Sequence, residues 1–117
     1  MTLRDLQPDA LAALDAVVAR ADEVVTPALL EGAQERITWL VAGGPEPAPT
    51  QDPAAAAAFA VVEQELMDVA RVDDAVVRTA ADAIGGAQLA DLVMASYALE
   101  ARTRLEIAAS RLLGGAS

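Results

Sequence analysis

The chain reads as an all-α domain of about five helices, residues 1–117, and three observations predict this. Apolar residues recur every three to four positions through each long segment, the period of a helix with one face on a core. No stretch alternates apolar and polar residues as a half-buried strand does, and pairs such as Val24-Val25 are too brief to count. Proline and glycine stand at the joints: Thr26-Pro27, Gly43-Gly44-Pro45, Asp52-Pro53, Gly85-Gly86 and Gly114-Gly115.

The first helix is expected from about Pro8 to Glu23, with Leu11, Leu14, Val18 and Ala21 inward and Asp15 and Asp22 outward. Thr26-Pro27 opens the second. A threonine side chain accepts from free amides, and proline suits the first turn, where its missing N–H has no partner. Leu30, Ala33, Ile37, Leu40 and Val41 then line one side, with Glu31, Gln34, Glu35 and Thr38 on the other, and Gly43-Gly44-Pro45 ends the segment. The run GPEPAPTQD, Gly44 to Asp52, reads as an extended link between two helical halves.

Asp52-Pro53 repeats the cap-then-proline signal ahead of an alanine-rich third helix. Phe59, Val62, Leu66, Met67 and Ala70 are expected inward, and Gln64, Glu65, Asp68 and Arg71 outward. Asp73 caps a shorter fourth helix with Val76, Val77, Ala80 and Ile84 inward. The fifth, Gln88 to Leu113, is the wall against which the rest packs. Its expected core line runs Ala90, Met94, Tyr97, Ala101, Leu105, Ala108 and Leu112, widened by Leu89, Leu92, Val93 and Ile107. Gln88, Asp91, Arg102, Glu106 and Ser110 are expected on the back.

Composition narrows the function classes. The net charge of −10 repels phosphate backbones and anionic membrane surfaces, so no nucleic acid and no membrane partner is expected. Charges interrupt every apolar segment before it reaches membrane-span length. Met1-Thr2-Leu3-Arg4-Asp5 has no hydrophobic leader character, and without cysteine there is no disulfide framework, so a cytoplasmic location is expected. The residues are 55% hydrophobic but only 3% aromatic, so much of the apolar content is alanine. Such a core fills little volume per residue, which favours completion by a homo-oligomer or another protein partner.

The chemical inventory is carboxylates and arginines. Without histidine there is no imidazole base or ligand, and without cysteine no thiolate, so no metal and no cofactor is expected. Glu63 falls between Phe59 and Met67 at helical spacing, which points it toward the apolar side. There it is either an acid/base with a raised pKa or a structural glutamate bonded to an arginine or tyrosine. Glu100 and Arg104 are four apart in the favourable order. They form either a helix-stabilising pair, about 0.3–0.5 kcal/mol if exposed, or an arginine held ready for a small anionic ligand. Tyr97 is expected in the core with its hydroxyl seeking a partner, beside that pair. Trp39, alone on a polar flank, is expected at an interface.

Three segments carry a family resemblance. FAVVEQELMDVARVDD (residues 59–74) and GAQLADLVMASYALEARTRL (residues 86–105) resemble the C-terminal half of carboxymuconolactone decarboxylase family proteins, especially AhpD-like members. The matching positions are Glu63, Gln64, Asp68, Val69, Ala70, Val93, Met94, Ala95, Tyr97, Glu100, Arg102, Arg104 and Leu105. TPALLEGAQERITWLVAG (residues 26–43) resembles the family's preceding helix, with Glu31 at its proton-relay glutamate. The resemblance implies an AhpD-like helical bundle that assembles into dimers, trimers or hexamers, with thiol-dependent peroxide reduction or lactone decarboxylation as the family chemistry. Gly43 stands where the family has its cysteine, and no histidine follows. Thiol peroxidase activity is therefore not expected, since nothing can form a sulfenic acid. Two functions are carried forward. One is a noncatalytic self-assembling or partner-binding subunit. The other is a cysteine-independent lyase or decarboxylase with Glu63 as acid/base and Arg104, Glu100 and Tyr97 binding a small anionic substrate between subunits.

Overall fold

The computed structural model describes residue 5 and residues 7–113. The opening Met1-Thr2-Leu3-Arg4 and the closing Gly114-Gly115 lie outside the described residues. Within residues 7–113 five α-helices follow one another: α1 (Pro8–Val24), α2 (Pro27–Ala42), α3 (Pro53–Asp68), α4 (Asp74–Ile84) and α5 (Gly86–Leu112). A single 3-10 turn, Val69–Arg71, closes α3. Among the described residues there is no strand, as the periodicity requires.

The joints form largely for the expected reasons. The Asp52 carboxylate accepts from the Ala54 N–H at 3.0 Å, and the Asp73 carboxylate from the Ala75 N–H at 2.7 Å. Both bonds satisfy amides that a helix start leaves free. Gly43 ends α2 at φ 74°, a left-handed backbone that glycine adopts without strain. Thr26 differs from expectation. Its side chain does not cap α2. Instead its N–H and its hydroxyl both donate to Gln88 Oε1 on α5, at 2.9 and 3.0 Å. Gln88 Nε2 in turn donates to the Ile84 carbonyl at the end of α4. One amide thereby ties the starts of α2 and α5 and the end of α4 together.

The core lies where α2, α3 and α5 meet, with Ala33, Ile37, Ala58, Phe59, Val62, Leu92, Ala95 and Leu99 at its centre. A smaller cluster of Val61, Ala80 and Leu89 joins α3, α4 and α5. α5 touches all four other helices, which confirms it as the organising element. At 27 residues it is about 40 Å long. Gly32 of α2 lets the Phe59 ring of α3 pack against its backbone, because a Cβ there would run into the ring.

The face that α5 buries is the expected one only at its edge: Leu89 and Leu92, which widened the expected line, are buried, but the line itself is not. Leu89, Leu92, Ala95, Ser96, Ala98 and Leu99 are buried. The line Ala90, Met94, Tyr97, Leu105, Ala108 and Leu112 is exposed, with Ala101 half-buried. At about 100° per residue, this line lies on the side of the helix opposite Leu92 and Leu99. Tyr97, expected in the core, is 42% exposed, and Met94 is 57% exposed. The reason is compositional. α5 is apolar nearly all round, so two stripes compete for the core. The stripe with two leucines spaced seven apart and small Ala95 between them fits closely on α2. Arg102, expected to face solvent, is half-buried and bonds Asp15 of α1 at 3.0 Å.

Candidate functional site: an outward apolar stripe beside a buried carboxylate

Two carboxylates on α3 exchange their expected places. Glu63 is half-buried, and its Oε1 lies 3.2 Å from Arg36 Nε on α2. This is the structural arrangement, a glutamate paired to an arginine. Glu65, expected outward, is 6% exposed and belongs to the core wall. Measured from Val62 at the centre of the buried face, Glu65 lies roughly 60° away, Glu63 roughly 100° and Met67 roughly 140°. Met67 is 68% exposed, so placing it inward displaced the expected face toward Glu63.

Neither carboxylate oxygen of Glu65 has a hydrogen-bond partner among the described residues. Burial first, and the negative charge of Glu100 second, push its carboxyl from 4.5 up to about 7. Partial burial, then the carboxylates of Glu65 and Glu100, also raise the Tyr97 phenol. Glu65, Tyr97 and Glu100 therefore share one electrostatic neighbourhood at the junction of α3 with the flank of α5. Arg104 completes it at the surface, with Nε 3.4 Å from Glu100 Oε2. Glu100 is the more sheltered partner, with its side chain 17% exposed against 58% for Arg104.

Arg36 is a residue the sequence reading passed over. It is 7% exposed, donates from Nη1 to the Gly32 carbonyl at 3.0 Å, and lies 3.9 Å over the Phe59 ring. The guanidinium thus meets a carboxylate, a carbonyl and an aromatic face together, which offsets removing it from water. Its spacing held a signal: Leu29, Ala33 and Arg36 fall on one helical face.

The remaining expected site residues do not converge. Glu63 points to Arg36, while Arg104 holds Glu100, and neither lines a groove described here. Trp39 is half-buried on α2. A groove of about 640 Å³ runs between the C-terminal halves of α2 and α5, with Thr38, Arg102, Glu106 and Arg111 among its walls. It is shallow, and Arg102 there is already matched by Asp15. Among the described residues, no group of three or more acidic, histidine or cysteine side chains could hold a metal, and no helix is long and apolar enough to cross a membrane.

Fold and site together define a helical protein whose central helix shows a second apolar face to the outside. No protein-family model matches the chain, and no curated protein or solved structure matches it.

Proposed function

We propose that this protein is a noncatalytic helical subunit that assembles through the outer face of α5. The observation that carries this is the run of exposed Met94, Tyr97, Leu105 and Leu112 on one side of the helix whose other side forms the core. An apolar stripe of that length, flanked by charged residues, is what an association surface looks like before its partner is added. The composition agrees, since a core short of large side chains fills little volume per residue and gains from completion by a partner. The resemblance to AhpD-like proteins, which assemble, supports the same reading.

Light scattering across a dilution series tests it. The expected result is a discrete multimer that Met94→Glu and Leu105→Glu each shift to monomer with helical circular dichroism unchanged. Each introduced charge must be desolvated at the contact, which weakens association by several kcal/mol. Trp39→Ala is expected to leave the multimer intact, and its loss would move the interface to α2. A wild-type monomer at every concentration would refute assembly.

A second reading rests on Glu65. A buried carboxyl poised near neutral pH is suited to general acid/base work, and it replaces Glu63 as the acid/base of the lyase alternative. That alternative, with Arg104 receiving a small anion, requires an opening to Glu65. Saturation of an intrinsic Tyr97 or Trp39 fluorescence change by small carboxylates, abolished in Arg104→Ala, would favour it.

A further inference from the structure

The exposed stripe of α5 is symmetric about Ala101. Outward from that residue the apolar positions step by four, three and four in both directions, to Leu105, Ala108 and Leu112 one way and to Tyr97, Met94 and Ala90 the other. We propose that two copies of this chain pair antiparallel along this stripe, about a two-fold axis at Ala101, and that each copy places its Arg104 against Glu100 of the other.

This rests on the assembly reading above and specifies its partner and geometry. In the antiparallel register, Ala101 meets Ala101, where two small residues let the helices approach closely. Met94 faces Ala108, Leu112 faces Ala90, and Tyr97 faces Leu105. Large residues oppose small ones at two of the three off-centre levels, so the side chains interlock. A parallel register would set Met94 on Met94 and Leu112 on Leu112 and leave gaps at Ala90 and Ala108. The paired stripe is roughly 33 Å long.

The charges agree with the same register. In a two-fold antiparallel pair each flank of the helix meets its own copy. Glu100 and Arg104 lie on the same flank, one residue before and three residues after the centre. Glu100 of one copy and Arg104 of the other therefore stand within about 3 Å of each other along the axis. Each Arg104 can then bridge two Glu100 carboxylates, its own at 3.4 Å and its neighbour's. The flank is also where Glu65 lies buried with both oxygens unpartnered. A second guanidinium beside Glu100 gives this pair of carboxylates a second positive charge, where one chain supplies only its own Arg104.

The chain has no cysteine of its own, so single cysteines report the register directly. Met94→Cys and Ala108→Cys are made separately, mixed, and oxidised mildly. A disulfide needs Cα atoms within about 7 Å. Antiparallel pairing brings position 94 to position 108, whereas two copies of position 94 stand roughly 21 Å apart. The expected result is a crosslinked heterodimer from the mixture and no crosslink from either variant alone. Crosslinking of Met94→Cys with itself would overturn the antiparallel register while leaving assembly through α5 standing. Crosslinking in no combination, with Ala101→Cys also silent, would overturn the α5 interface. Arg104→Glu is expected to raise the dimer dissociation constant on the order of tenfold or more, with Arg104→Lys nearer the parent. An unchanged constant in Arg104→Glu would remove the proposed cross-chain pair.

Discussion

Glu65 shows how one residue's surroundings set its chemistry. In the unfolded chain its carboxyl titrates at the ordinary 4.5, and in the folded chain it is pushed up to about 7. The folded state therefore holds the proton more tightly. Between these values folding takes up a proton, so stability falls as pH rises through the window. Below 4.5 both states are protonated and there is no penalty, while above about 7 the full penalty applies, at most about 3 kcal/mol. Glu65→Met removes the titration without leaving a polar group unpartnered. It is expected to be more stable than the parent by about 1–3 kcal/mol at pH 8 and nearly equal to it at pH 4.5. Urea unfolding of dilute protein at the two pH values checks this, and equal effects at both would reject it. The sequence held part of this residue's story. That α3 carries a carboxylate on its apolar side was legible, but which one depended on whether Met67 points in. Met67 and Glu65 differ by roughly 200° around the helix, so a single wrong anchor exchanged Glu63 for Glu65.

Among the elements, the starts and stops were the most legible features, because capping and turn chemistry act within a few residues. Asp52 and Asp73 cap as expected. Asp73→Ala is expected to destabilise the protein by about 1 kcal/mol, and thermal unfolding would show it as a lowered Tm. The same substitution at Thr26 acts differently. Its hydroxyl bonds Gln88 on α5, so Thr26→Ala and Gln88→Ala are expected to be less than additive in a double-mutant cycle. Additive effects would show that the two side chains do not interact. Nothing local to α2 announces this bond, since the partners are 62 residues apart. Gly32 lies in the interior of α2, where alanine is intrinsically better by about 1 kcal/mol. Gly32→Ala is nonetheless expected to destabilise by about 1–3 kcal/mol, because the Phe59 ring occupies the space the methyl needs. A stabilised Gly32→Ala variant would mean that the ring moves aside freely.

For the whole molecule, helix count and order followed from the sequence, and the division of faces on α5 did not. Most boundaries of the five helices are marked by proline, glycine and cap residues and by a repeating apolar period, all read within one segment at a time. Glu100 and Arg104 form their four-apart pair for the same local reason. Orientation is a different matter. A helix apolar on two sides satisfies the period whichever side faces in, and only packing against a particular neighbour decides. Ser96 can be buried because its hydroxyl donates to the Leu92 carbonyl of its own helix at 2.8 Å. The buried, internally satisfied serine leaves Met94 and Tyr97 outside. The sequence by itself thus determined the helices, their order and most of their ends, since those rest on interactions between near neighbours; α3 stops at Asp68, short of the expected Ala70 and Arg71. Only the tertiary structure decided that Leu99 faces the core and Tyr97 does not, that Glu65 is the buried carboxylate, and that Arg36 lies over Phe59. Those facts depend on how distant surfaces fit together, and no periodicity within one helix encodes the shape of its partner.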